Sequence, residues 1–201
     1  MDLHKALLRD VYTCSRCQSF GFTAPAVNAP FFKFPATIGA TGHAPLLFVG
    51  INPRIDEPNA RSGNRGLHEK LIGSKKAFAD LACNRDGDES YIAPGCRERH
   101  YRWHMAVMQF LFGQDARFED HAAVTELVLC ASRNSEKLAV ADSPCANRFF
   151  DTVFLKVRPL VVFCVWKSVL PYFQRRAGAW NQNSFLLTVA DHTALVVYLP
   201  H

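Results

Sequence analysis

The chain has 201 residues, of which 49% are hydrophobic and 20% charged, a composition typical of a soluble globular protein that excludes disordered and fibrous classes. Neither a signal-peptide-like start nor a run of about 20 apolar residues is present, so we expect a cytoplasmic protein with no membrane partner. The net charge of +5 and the pI near 8.9 permit a polyanionic partner without requiring one.

The first predicted helix, residues 2–11, leads into a Cys-x-x-Cys pair formed by Cys14 and Cys17. In a reducing compartment the seven cysteines are poor candidates for a disulfide framework, which leaves metal binding or simple burial. The two-residue spacing allows both sulfurs to reach one metal ion or cluster. A surface loop or a redox pair is the alternative interpretation of this motif.

The first predicted strand, residues 46–50, is a short apolar run that ends in the sequence Gly50-Ile51-Asn52-Pro53-Arg54. Ligands of open α/β sheets bind at the carboxyl ends of strands, so Asn52 is predicted at the mouth of such a crevice. Gly50 allows close approach of a bound group, and Pro53 restricts the backbone of Asn52. A plain strand-to-loop turn is the alternative.

The middle of the chain is predicted to be largely irregular, with two helices. Irregular segments are expected at residues 18–45, 55–66 and 83–99, and helices at residues 67–82 and 100–113, the second of which ends at Gly113. The apolar positions of this second helix are predicted to face the core: Tyr101, Met105, Met108 and Leu111 or Phe112.

Strands and helices then alternate to the end of the chain. Strands are predicted at residues 124–131, 160–166 and 194–199, and helices at residues 143–157 and 168–176, the latter despite Pro171. Such alternation predicts a three-layer α/β/α fold with a central parallel four-stranded sheet. No linker divides the sequence, so residues 1–201 are predicted to form a single domain.

Two further cysteines follow the second predicted strand. Cys130 lies near its end, and Cys145 comes after 14 intervening residues. Ser143 and Pro144 are typical of a helix start, which places Cys145 in the first helical turn, where the helix dipole favours a thiolate or an anionic cluster. Together with Cys14 and Cys17, four thiols would suit zinc or a 4Fe–4S cluster equally, and simple burial is the alternative for Cys130 and for Cys145. Burial alone is predicted for Cys83, Cys96 and Cys164.

These motifs together resemble the uracil-DNA glycosylase superfamily, and in particular its iron–sulfur branch related to family 4. The GINP turn is similar to the first active-site motif of some members. TELVLC followed by Cys145 is similar to the strand and second cysteine of the iron–sulfur branch, and ALVVYLPH to the strand that enters the second active-site motif. The resemblance covers nearly the whole chain in the right order.

The resemblance implies an activity: hydrolysis of the N-glycosidic bond of a uracil-like base flipped out of DNA. Asn52 would position the water, and His201 would donate a hydrogen bond to the leaving base. Gly50, Ile51, Pro53 and Arg54 would bind substrate. The resemblance favours a 4Fe–4S cluster over zinc and implies these ligands: Cys14, Cys17, Cys130 and Cys145. We expect a monomer whose partner is DNA that contains a damaged base.

Three features depart from the family pattern. Glu126 stands where the family has an amide that reads the base, and its carboxylate would repel the uracil O4 unless it is protonated. This predicts weakened uracil recognition, or a preference for a base that offers two donors on that edge. No aromatic residue closely follows the GINP turn, although His68 is a candidate for stacking on the base. The second motif is expected to continue beyond His201. A catalytically weak or inactive iron–sulfur relative that binds nucleic acid, and a zinc-stabilised domain, are therefore the alternative hypotheses.

Overall fold

The computed structural model describes residues 10, 14, 38–40, 42–51, 96–129, 143–164, 166–177 and 183–199. Asp10 is helical, and the remainder of the predicted first helix lies outside the described residues. The predicted helix at residues 67–82 also lies outside them. The account below is restricted to the described part of the chain.

A six-stranded mixed sheet forms the centre of the structure, with the strand order β1-β3-β2-β4-β6-β5. Its strands are β1 (Ile38–Gly39), β2 (Leu46–Gly50), β3 (Ala122–Glu126), β4 (Val161–Cys164), β5 (Ser184–Val189) and β6 (His192–Tyr198). The four middle strands pair in parallel, whereas β1 and β5 are antiparallel to their neighbours. All four predicted strands overlap strands of this parallel centre, although the second was placed too late in the chain: it was predicted at residues 124–131, whereas β3 starts at Ala122 and ends at Glu126. A purely parallel four-stranded sheet is wrong, because five strands of at least four residues and the two-residue β1 are present among the described residues.

β5 was not predicted because its sequence, SFLLTV, lacks a clean alternation of apolar and polar residues. In the structure its side chains do alternate, with Phe185 and Leu187 buried and Leu186 65% exposed. It pairs with β6 through a two-residue turn in which Ala190 has a φ of 51°. Hairpin turns of this length usually show Gly, Asn or Asp at such a position, and Ala190 gives no such signal.

The described helices are α1 (Cys96–Phe112), α2 (Phe118–His121), α3 (Pro144–Val157) and α4 (Leu170–Gln174), which a 3-10 turn (Lys167–Val169) precedes. None of them is long and apolar enough to span a bilayer. α1 starts at Cys96, four residues before the predicted start at His100. Residues 96–99, which were predicted to be a loop, are therefore helical. Its end is as predicted: Gly113 has a φ of +99° and donates its N–H to the Gln109 carbonyl at 2.9 Å.

The buried face of α1 differs in part from the prediction. Met108 is fully buried, as expected, and His104 is 2% exposed. Leu111 and Phe112 are 49% and 39% exposed, so their assignment to the core is wrong. The last turn of α1 packs against α2: the Phe112 ring stacks on His121 at a centroid distance of 4.4 Å.

Helices pack against both faces of the sheet. Phe48 of β2 contacts the His104 ring of α1 at 4.6 Å between centroids. Leu47, the neighbour of Phe48, faces the opposite side, because successive strand residues alternate. On that side Phe173 of α4 contacts Phe185 of β5, at 6.2 Å between centroids. α1 and α4 therefore enclose the sheet from opposite sides.

Candidate functional site

β2 and β3 end side by side at the carboxyl edge of the sheet. Gly50 pairs in register with Glu126, each the last residue of its strand. Two further hydrogen bonds join the chains beyond this pair: the N–H of Leu127 donates to the Gly50 carbonyl at 3.1 Å, and that of Val128 to the Ile51 carbonyl at 2.9 Å. Ile51 is buried. The backbone is therefore held firmly up to the point at which the predicted site begins.

The strand order makes this edge a natural binding position. β3 lies on one side of β2 and β4 on the other. The order in which successive strands are added to the sheet therefore reverses at β2. In open α/β sheets, the crevice at such a reversal is where ligands bind. Outside the described residues lie seven of the predicted site residues: Asn52, Pro53, Arg54, His68, His201, Cys17 and Cys130. Asn52 follows Gly50 by two residues.

Glu126 fills the space next to the backbone of Gly50. A Cβ atom placed on Gly50 would overlap Oε2 of Glu126 and would lie 2.7 Å from its Cδ. No residue other than glycine fits here unless the carboxyl group moves. The close approach that the sequence predicted at Gly50 is thus made by a side chain of the protein itself.

The Glu126 carboxyl group is buried with an incomplete set of hydrogen bonds. The residue is 7% exposed, and its Oε2 has no hydrogen-bond partner among the residues that the structure describes. Burial raises its pKa from 4.5 to about 8, because removal of water disfavours the charged form. Glu126 is therefore mostly a neutral acid at pH 7, which is the form that the sequence analysis named as the exception to repulsion of the uracil O4.

Cys145 lies in the first turn of α3, as the sequence predicted. The Ser143 hydroxyl accepts hydrogen bonds from the N–H groups of Cys145 at 3.1 Å and Ala146 at 3.4 Å. The Cys145 Sγ accepts a hydrogen bond from the Leu129 N–H at 3.4 Å. A helix N-terminus and a backbone N–H both stabilise negative charge on a sulfur atom. This environment fits a thiolate ligand.

Cys14 lies near the same helix. Its Sγ is 3.9 Å from Nη1 of Arg148, and Arg148 is three residues beyond Cys145 on α3. Among the described residues no group of three or more potential ligands could hold a metal ion, and only Cys14 and Cys145 of the four predicted ligands belong to that part of the chain. Cys164 is fully buried in β4, which confirms its predicted role in the core.

An exposed tryptophan lies at the same edge of the sheet. The sequence predicted it only as the last residue of a strand. Trp166 is 41% exposed and follows the last residue of β4 by two positions. Val49 of β2 pairs with Cys164 of β4, so Ile51 and Trp166 lie equally far beyond that pair along their chains. A tryptophan directly after an apolar strand is the sequence signal that could have marked it, since an aromatic ring at a strand end combines an apolar face with a polar N–H.

Comparison with protein-family models and with curated proteins finds no match for this chain.

Proposed function

We propose that this chain is a DNA glycosylase of the uracil-DNA glycosylase superfamily, which hydrolyses the N-glycosidic bond of a deaminated or damaged base flipped out of DNA. The observation that supports this most is the register of Gly50 with Glu126. It joins the strand that enters the GINP turn to the TELVLC strand, so the two motifs of the resemblance meet at one edge. That edge is where an open α/β sheet binds ligands.

The reaction requires positioning and electrostatics more than strong acids or bases. Breaking the bond develops positive charge on the sugar and negative charge on the departing base. Asn52, two residues after Gly50, would position the attacking water, and His201 would donate a hydrogen bond to the base. An asparagine is not a general base, so its contribution is one of orientation. The base must leave the helical stack to reach this edge.

Four cysteines would hold a 4Fe–4S cluster under this proposal: Cys14, Cys17, Cys130 and Cys145. The N–H of Leu129 donates to the Cys145 sulfur, and Leu129 directly precedes Cys130 in the chain. Cys14 lies against Arg148 of α3, the helix that carries Cys145. A bound cluster would join distant parts of the chain and contribute folding free energy. Iron and acid-labile sulfide in the purified protein would distinguish a 4Fe–4S cluster from a zinc site. Colour is a second test, because a zinc site is colourless.

A second candidate function is a relative that binds nucleic acid without excising a base. Glu126 favours this candidate, because the resemblance expects an amide at its position. The fold and the cysteine site would be unaltered in such a protein. Binding and excision must therefore be measured separately.

The test is excision from oligonucleotides that carry one uracil, hypoxanthine or xanthine. We expect strand breakage after alkali treatment for at least one of these bases. Asn52→Ala should reduce the excision rate by about 100-fold, since loss of water orientation is expected to cost that much. Its affinity for the oligonucleotide, measured by fluorescence anisotropy, should not change. Binding without excision of any base would support the second function, and no binding would contradict both.

A further inference from the structure

We propose that two copies of this chain associate through the outer edge of β5. The two β5 strands pair antiparallel around a two-fold axis at Leu186, so that the sheet continues from one copy into the other. This dimer contrasts with the monomer expected from the sequence. The inference is independent of the proposed function, because it is argued from β5 and β6 alone.

β5 is the last strand of the sheet, and among the described strands it pairs with β6 alone. The N–H of Tyr198 donates to the Asn183 carbonyl at 2.8 Å. The hydrogen-bonded pairs with β6 therefore begin at residue 183 and recur at every second residue of β5. The residues between them point their N–H and C=O groups away from β6: Ser184, Leu186 and Thr188. This row of donors and acceptors matches another extended strand.

β5 lacks the features that usually keep sheet edges apart. Its sequence, SFLLTV, contains no charged residue and no proline, whereas exposed edges of native sheets often carry one or the other. Asp191, in the turn that follows, is paired with Arg158 at 3.2 Å. Two copies, each with a net charge of +5, would therefore meet at this edge without bringing unpaired like charges together.

An apolar row on one face of the sheet becomes more exposed toward the same edge. Four residues of neighbouring strands follow one another in register: Leu46, Val161, Leu195 and Leu186. Leu46 is 2% exposed, Leu195 39% and Leu186 65%. α1 covers this face at Phe48, but no described helix covers it at β5 and β6. The solvent face of an antiparallel pair is usually polar, so the two outer leucines indicate a surface that a partner covers.

A second copy of the chain satisfies both the backbone groups and the leucines. With the axis at Leu186, that residue faces its own counterpart, and Ser184 of each copy faces Thr188 of the other. Every outward N–H and C=O of these residues then has a partner. Facing hydroxyl residues form favourable cross-strand pairs, and the two apolar rows join into one, which removes their leucines from water. Because the contact is isologous, it closes as a dimer.

The small size of the contact makes the expected dimer weak. A six-residue strand is about 20 Å long, and an edge contact of this length falls below the about 1,200 Å² of standard stable interfaces. We therefore expect dimers to dominate at about 500 µM protein and monomers at about 5 µM.

Sedimentation velocity of the full chain at these two concentrations measures the association. Leu186→Lys and Leu186→Glu should each abolish it, because the two-fold axis sets each new charge against itself. An equimolar mixture of the two variants should dimerise, since opposite charges then face each other. Leu160→Lys is the matched control: Leu160 is 66% exposed but precedes β4, so this variant should dimerise like the unmodified protein.

Three results would overturn the proposal. The first is an unmodified protein that stays monomeric at about 500 µM, the concentration at which a weak interface should be occupied. The second is equal behaviour of the Lys variants at positions 160 and 186. The third is a mixture of the two charged variants that stays monomeric, because it would exclude an axis at Leu186.

Amide hydrogen exchange tests the same edge without any substitution. The N–H of Leu186 faces outward and should exchange about fivefold more slowly at about 500 µM than at about 5 µM, as mass action requires for a group covered only in the dimer. The N–H of Leu187 faces β6 and is the internal control, with no change expected. Mass spectrometry with single-residue fragmentation measures both. Equal exchange of Leu186 at the two concentrations would overturn the proposal even if the charged variants fail to fold.

Discussion

Gly50 and Glu126 share one volume at the edge of the sheet: the carboxyl group of one occupies the place where the other would carry a side chain. This relationship couples the identity of residue 50 to that of residue 126. A larger residue at position 50 would have to displace the Glu126 carboxyl group, which makes the pair a good starting point for mutagenesis.

Gly50→Ala should destabilise the protein by about 1–3 kcal/mol, because a methyl group would overlap the Glu126 carboxyl group. The cost should be smaller in a Glu126→Ser background, where the overlapping atoms are absent. Gly42→Ala is the matched control, since nothing lies within 4 Å of a Cβ atom at that position. Urea unfolding measures all these variants. Equal costs at positions 42 and 50 would contradict the steric argument.

The free energy of unfolding should fall as the pH rises from about 4.5 to about 8 through the contribution of Glu126. Its pKa is 4.5 in the reference state and about 8 in the folded protein, so the folded state binds more protons in this window. The stabilisation is complete below the window, and it is lost at up to about 1.4 kcal/mol per pH unit within it. Glu126→Gln should lack this component. Parallel pH-dependent unfolding curves for the two proteins would show that the Glu126 pKa is not raised.

If the proposed cluster is structural and Cys145 binds it, Cys145→Ala should reduce the soluble yield and the iron content sharply, because a ligand set that loses one thiolate loses folding free energy with it. Cys164→Ala is the control: that thiol is buried inside β4, so its removal should lower stability without lowering the iron content. Iron analysis of the two purified variants decides the matter. Unchanged iron in Cys145→Ala would remove Cys145 from the ligand set.

Ser143→Ala should lower the unfolding free energy by about 1 kcal/mol, since its hydroxyl accepts hydrogen bonds from two N–H groups of the first turn of α3. Ser143→Gly should cost only a few tenths of a kcal/mol, about the usual difference between these residues at a helix start. Thermal unfolding would reveal the order. A larger loss for glycine than for alanine would indicate that the cap is not what Ser143 contributes.

Trp166→Ala should weaken binding of a single-stranded oligonucleotide by about tenfold, because stacking of a base on an aromatic ring contributes about 1–3 kcal/mol. Leu160→Ala is a suitable control, since Leu160 is 66% exposed but lies next to the opposite end of β4. Fluorescence anisotropy gives both affinities. Equal losses for the two variants would exclude a specific role for Trp166.

Local signals were the part of the fold that the sequence predicted well. The start of α3 depends on Ser143 and Pro144, and the end of α1 depends on Gly113; each is determined by residues within one turn. The four parallel strands were found because buried strands are continuous apolar runs. Such features need no knowledge of distant parts of the chain.

The sequence could not predict the features that depend on long-range contacts. The exposure of Leu111 and Phe112 depends on where α2 lies, and β5 has a clear alternation only once its partner β6 is in place. For the same reason the sequence left open whether Glu126 is ionised. Its raised pKa follows from burial, which depends on contacts such as the one with Gly50, 76 positions away in the chain.

The position of β6 between β4 and β5 has a consequence for synthesis on the ribosome. β5 joins the sheet only through β6, so β4 keeps an open apolar edge until Tyr198 has left the exit tunnel. The nascent chain therefore cannot close its sheet gradually as it emerges. Until β6 is available the chain exposes an apolar strand edge, a feature that makes incompletely folded chains prone to aggregation.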